Sequence, residues 1–310
     1  MKNNMLPKIR YLPFYAISVL PMPVLYVLSD MLFVVVYYLM KYRRNVVSDN
    51  IKKSFPQKPQ ITRRKIEKDF YRYFCDILVE SIKTLTISKR SAMKRLRIEN
   101  PDLVEYYLGE KKNILLYTAH QGNWEWLIFL PLFFPYRANT FYKPIKNHYF
   151  NDLFKIIRER FGVHCIESAK GYRTIIDLER KNVLMMNCII GDQSPVRINT
   201  KHWCQFLNRE TAFFVGAEKL AKKTGEVVLF PSFKKIRRGY YGLRFSLITD
   251  NPVSMRTNGI VEEYAEALEN VILNSPELWL WSHRRWKLSA WTWDFKVPGI
   301  IWSIQKVIEI

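Results

Sequence analysis

A long apolar run opens the chain. From Tyr11 to Met40 the sequence YLPFYAISVLPMPVLYVLSDMLFVVVYYLM holds one charged residue, Asp30, and Lys41-Tyr42-Arg43-Arg44 follows at once. Pro13, Pro21 and Pro23 interrupt it, because proline removes a helical N–H and its ring clashes with the turn before it. Spanning a bilayer takes about 20 apolar residues. Two arrangements meet that need: a Pro-kinked span from about Val24 to Met40, or two short helices entering the lipid. A cleaved signal peptide fits less well, since the run is too long and no small-residue cleavage site follows it. A buried helix of a soluble protein is the other reading, because Asp30 and the prolines weaken the membrane signal. The cationic exit at Lys41 to Arg44 suits a cytoplasmic face, although Lys2, Lys8 and Arg10 charge the other flank as well.

Beyond residue 44 the periodicity changes. Ile66, Phe70, Phe74, Ile77, Leu78 and Ile82 recur every three or four positions, which predicts an amphipathic helix from Gln60 to about Leu85. Lys112 to Ala119 and Ala138 to Tyr142 read as short strands, and Phe150 to Arg160 as a helix stopped by Gly162. The apolar run Val183 to Ile190 reads as a buried strand that delivers Asp192 and Gln193 into a loop. Thr211 to Thr224 is expected to be a helix closed by Gly225, Val227 to Phe233 and Tyr240 to Thr249 strands, and Asn258 the cap of a helix ending near Leu273. Strands alternate with helices, so the expected body is an α/β fold with a central mixed sheet flanked by helices, behind a hydrophobic membrane-attaching helical segment. The natural division places the anchor at residues 1–44 and the body at 45–310.

Composition narrows the partners. The chain has 310 residues, 49 Lys+Arg against 28 Asp+Glu and a formal charge of +21, with 48% apolar residues, which excludes disorder. So large a positive charge calls for an anionic partner: nucleic acid, an acidic membrane, a phosphorylated lipid or an acidic carrier protein. The apolar opening favours the membrane, so nucleic acid is not expected. Cys75, Cys165, Cys188 and Cys204 form no CxxC pair; the first three sit among apolar residues as core positions would, and a reducing compartment fits. His148, His164 and His202 have no partners at metal-ligand spacing, and Ser168 and Ser194 lack a GxSxG context.

The candidate chemistry lies in Leu115 to Leu127, LLYTAHQGNWEWL. His120 and Glu125 are five positions apart, a separation of about 140° around a regular helix, and opposite faces of a strand. They converge only if the chain turns at Gln121-Gly122-Asn123, with Asn123 as N-cap and Glu125 in the first helical turn. A carboxylate that fixes the tautomer of a histidine makes a general base. A capped polar turn with a satisfied histidine meets the same spacing. Backbone N–H groups near Gly122 and Asn123 are candidate oxyanion donors.

HQGNWE resembles the H-x(4)-D/E motif of glycerolipid acyltransferases, and in the form HxGNWE it is similar to the bacterial lipid A late acyltransferases. The likeness runs along nearly the whole chain: Arg43-Arg44, Asn50-Ile51, Ser54-Phe55-Pro56, Tyr142 to Asn147, Arg158 to Gly162, Asp192-Gln193 and Trp281 to Lys287. It implies transfer of a fatty acyl chain from an acyl thioester, on acyl carrier protein or CoA, to a hydroxyl of a lipid A precursor or related lipid. The expected place is the cytoplasmic face of the bacterial inner membrane. His120 would be the base and Glu125 its orienting carboxylate, with no metal, no cofactor and no acyl-enzyme.

The same likeness makes Gly122, Asn123, Lys143, Asn147, Arg158, Arg160, Asp192 and Gln193 substrate-binding candidates. Lys143 and Arg158 would meet phosphate or phosphopantetheine, and Asp192 would bind acceptor hydroxyls or support the dyad. Lys143 stands where many relatives carry arginine, and Phe206 to Arg209 departs from the family's loop. Trp279, Trp281, Trp286, Trp291 and Trp293 with Arg284, Arg285 and Lys287 read as an aromatic, basic tail suited to a membrane interface, and His283 as structural. An acyltransferase for another acceptor, such as a lysophospholipid or aminoacyl lipid, is the near alternative. A non-catalytic basic protein binding membrane or nucleic acid is the distant one, and His120 and Glu125 pointing apart would favour it.

Overall fold

The apolar runs of the body become one sheet. A computed structural model describes residues 10–195 and 202–288; Lys2, Lys8, Trp291 and Trp293 lie outside the described residues. The strands are β1 Leu96–Ile98, β2 Ile114–Thr118, β3 Arg137–Tyr142, β4 His164–Glu167, β5 Met185–Ile190, β8 Val227–Arg237 and β9 Tyr240–Thr249. They lie in the order β1-β9-β8-β2-β5-β3-β4. All pairs are parallel except β8 with β9, which form an antiparallel hairpin, so the sheet is mixed. A separate antiparallel hairpin joins β6 His202–Phe206 to β7 Arg209–Phe213.

The helices are α1 Leu12–Val19, α2 Met22–Phe33, α3 Arg44–Ser54, α4 Gln60–Lys83, α5 Lys89–Arg95 and α6 Pro101–Gly109. After them come α7 His148–Glu159, α8 Ser168–Arg180, α9 Gly216–Thr224 and α10 Gly259–Asn274. β2 is buried at every position, as a central parallel strand covered by helices on both faces must be. One core cluster, with Leu115, Tyr117, Phe230 and Tyr264, lies on one side of the sheet, and another, with Leu116, Met186, Phe129 and Ile157, on the other.

The apolar opening is two helical pieces rather than one. Leu20 and Pro21 separate α1 from α2, and α2 continues as a wider π-type turn through Val34–Leu39. Met22 to Leu39 is long and apolar enough to cross a membrane, and only a third of it is buried in the protein. The one charge, Asp30, is matched: Arg238 from the β8–β9 turn reaches it at 2.7 Å and reaches Asp76 of α4 at 2.6 Å. α4 lies beneath the segment, with Lys83 Nζ donating to the carbonyls of Ser18 and Leu20.

Several local expectations shift. Residues 211–213 belong to β7, and the helix starts only at Gly216, because Thr211 to Phe213 pair with β6. Asn258 sits at positive φ without a side-chain cap; Glu218 instead accepts from the N–H groups of Asn258 and Val261. Cys75 is buried, whereas Cys165 and Cys188 are half-buried, and Cys188 faces a cavity described below. The Trp279 to Arg285 segment is no surface tail. Trp279, Trp281 and Arg285 are buried, with the indole N–H groups of Trp279 and Trp281 donating to Asp192 and to the Pro276 carbonyl.

Candidate active site

β2 and β5 are parallel neighbours in register, with Thr118 opposite Ile190. Two residues past each of those positions stand His120 and Asp192, so strand register alone carries them to one point at the carboxyl end of the sheet, where ligand sites of such sheets form. Gly191 N–H donates to the Thr118 carbonyl and extends the pairing one step further.

His120 Nδ1 lies 2.7 Å from Asp192 Oδ1, and the His120 backbone N–H donates to Oδ2 at 3.1 Å. Oδ2 also accepts from the Trp279 indole at 2.8 Å. Burial pushes the Asp192 carboxyl up, but His120 and these hydrogen bonds outweigh it and hold the group below the ordinary aspartate range. The ionised carboxylate holds a proton on Nδ1 and leaves Nε2 open, with the Gln193 amide nitrogen 3.3 Å away. The His120 side chain is 17% exposed, enough to reach a substrate.

Glu125 therefore does not supply the carboxylate at Nδ1; its expected place there is taken by Asp192. Glu125 lies in the first turn of a 3-10 helix, Trp124–Leu132, and its oxygens meet Arg158 of α7 at 3.0 and 3.4 Å and the Trp124 indole at 3.2 Å. Burial raises its carboxyl, yet Arg158 reverses that and holds it below the usual glutamate value; Glu125 in turn raises Arg158. The two side chains of the motif do not point apart into separate surroundings. Both His120 and Glu125 line one cavity of about 430 Å³, together with Arg158, Lys143 and Gln193. Deeper in, Leu116, Leu127, Ile128, Ala138, Val163 and Met186 make its wall apolar.

The turn between them is braced from outside. Gly122 has φ +57°, and a Cβ there would overlap Phe233, so the position requires glycine. Its N–H donates to the Leu278 carbonyl and its carbonyl accepts from Tyr73 at 2.5 Å, so this N–H is engaged rather than free for an oxyanion. Asn123 does not cap the following helix: its amide donates to buried Glu80 at 2.5 Å. Glu80 also accepts from Tyr241 at 3.0 Å and from Tyr26 of α2 at 2.9 Å. Burial, with Asp76 nearby, pushes the Glu80 carboxyl up to about 7.

Other candidates fall outside the cavity. Asn147 caps α7, accepting from the N–H groups of Tyr149 and Phe150, and Arg160 donates to the Thr84 carbonyl at 2.5 Å. His283 accepts from the Ser194 N–H, and partial burial lowers it to about 4. Glu80 and Tyr73 were not singled out from the sequence, and Trp279 only as part of an aromatic tail. Tyr73 and Glu80 are seven positions apart on α4, the spacing of one helical face, but a buried glutamate carries no sequence signal of what it faces.

A histidine held by a buried carboxylate stands at the strand ends and lines a half-apolar cavity, an arrangement able to serve as a general base beside room for an apolar substrate. A model of the bacterial lipid A biosynthesis acyltransferases matches residues 11–288, and the chain belongs to that family. It is thus an acyltransferase of lipid A biosynthesis, from a family that is membrane-associated in bacteria. No curated protein matches the sequence significantly.

Proposed function

We propose that the protein moves a fatty acyl chain from an acyl thioester, on acyl carrier protein or CoA, to a hydroxyl of a lipid A precursor or related membrane lipid. His120 is the general base, and Asp192 rather than Glu125 orients it. The observation that carries this reading is the 2.7 Å His120–Asp192 contact at the mouth of the partly apolar cavity. Nε2 takes the proton of the acceptor hydroxyl as its oxygen attacks the thioester carbonyl carbon. The C–S bond then breaks, and the departing thiolate receives that proton from the imidazolium. Asp192 stabilises the imidazolium between the two steps, a contribution of about 10²–10⁴-fold in rate for a positioned base.

Arg158, held by Glu125, offers a forked donor at the cavity edge for the polarised carbonyl or a donor phosphate, and Lys143 offers a second cation. The apolar wall takes the acyl chain. No metal and no covalent acyl-enzyme enter this sequence of steps. The apolar α1–α2 segment attaches the body to the cytoplasmic face of the inner membrane.

The test is turnover by purified full-length protein in detergent, with acyl thioesters and lipid A precursors, lysophospholipids or aminoacyl lipids as acceptors. Transfer to the lipid A precursor that vanishes in His120→Ala is expected. Turnover surviving in His120→Ala would overturn the base assignment, and transfer only to another acceptor would overturn the substrate.

A further inference from the structure

A group of basic residues stands where the apolar segment ends. A groove of about 510 Å³ opens there, lined by Lys41, Arg44, Lys52, Arg63, Arg64 and a single carboxylate, Glu67. Glu67 is buried and already engaged by Arg44 at 2.9 Å. Lys41, Lys52 and Arg64 are exposed, and none of them, nor Arg63, enters a salt bridge among the described residues. Among the described residues, Lys41, Lys52, Arg63 and Arg64 thus face one groove whose single carboxylate is already paired with Arg44.

The groove is continuous with the apolar helix. Lys41 follows Met40 directly, and Arg44 stacks over the Tyr37 ring at 4.3 Å. Leu39 and Met40 are 72% and 66% exposed, and Val35 and Tyr38 are exposed beside them. The backbone turns sharply between the two surfaces, with Lys41 and Arg43 at φ +47° and +50°, a conformation that non-glycine residues rarely adopt. That turn folds α3 back so that its cations and those of α4 share the groove.

We propose that this groove binds the phosphate headgroup of one anionic membrane phospholipid, with the lipid's acyl chains lying along the exposed apolar face ending at Met40. The four unpaired cations select negative charge, and the adjoining apolar face selects a lipid over a free phosphate or an acidic protein. The site is separate from the His120 cavity, and the inference does not rest on the proposed reaction.

Native mass spectrometry of the full chain in detergent, with added phosphatidylglycerol or phosphatidylcholine, tests it. One retained phosphatidylglycerol per chain is expected, with phosphatidylcholine not retained. Lys52→Glu/Arg64→Glu should weaken phosphatidylglycerol binding about thirty-fold or more, from about 1 kcal/mol for each cation near an anionic surface. The control Arg173→Glu/Lys181→Glu, with the same charge change on exposed positions of α8 and its end, should weaken it less than three-fold. Equal losses in both variants would reduce the site to diffuse attraction and overturn the proposal. Binding of soluble glycerophosphate as tight as that of the lipid would overturn it too, as would protection of the groove from lysine labelling by an acidic carrier protein but not by lipid.

Discussion

Nδ1 of His120 and Oδ1 of Asp192 are 2.7 Å apart in space and 72 positions apart in sequence. In the proposed mechanism this pair, rather than the local HQGNWE motif, makes the base. Asp192→Asn preserves shape but removes the charge that stabilises the imidazolium, so kcat should fall about 10²–10⁴-fold with little change in KM. His120→Ala/Asp192→Asn should be no worse than His120→Ala alone, because the two act as one unit. Steady-state acyl transfer by the three variants checks this, and additive losses would separate Asp192 from His120.

Glu125 acts through Arg158 in this geometry. Glu125→Gln should lower activity while leaving the His120–Asp192 contact intact. Arg158→Lys, which loses the fork, should do likewise. A double-mutant cycle on kcat/KM should show a coupling of about 0.5–3 kcal/mol between the two. Zero coupling would show that Glu125 and Arg158 contribute separately.

Gly122→Ala should be severe. At φ +57° with Phe233 in the way, the added methyl must move the turn or the β8 residue beneath it. Left-handed backbone alone costs about 1–2 kcal/mol, and overpacking adds about 1–3 kcal/mol. A thermal melt should show the loss, and unchanged Tm with full activity would refute the reading of the turn.

The buried carboxyls of Glu80 and Glu226 are both raised to about 7. Between about pH 4.3, the unfolded value, and pH 7 the folded state binds more protons than the unfolded one. The stability these two groups contribute is therefore fully present below that window and is lost as pH rises through it. Asp192 and Glu125 act in the opposite sense: their lowered values add stability above about pH 4 that is lost on further acidification. Melting curves from pH 3 to 8 should reveal both limbs. Glu80→Gln should flatten the fall toward pH 7, and an unchanged slope would show that Glu80 does not carry it.

The apolar N-terminal helices, the alternation of strands and helices, and the turn at Gly122 were legible from the sequence because each depends on local causes: apolar composition, periodicity, and a residue that tolerates positive φ. The strands at Ile114–Thr118 and Met185–Ile190, with His120 and Asp192 just beyond them, were visible as separate features. Their meeting was not, since it depends on β2 and β5 being neighbours with Thr118 opposite Ile190, a pairing that neither segment encodes alone. The reassignment of Glu125 to Arg158, and the burial of Trp279 behind Asp192 in place of a membrane-facing tail, followed from the same cause. Local sequence determined which side chains stand at the ends of the strands, and the register and packing of the sheet decided which of them face one another, because hydrogen-bond partners across a fold are set by where distant backbones come to lie.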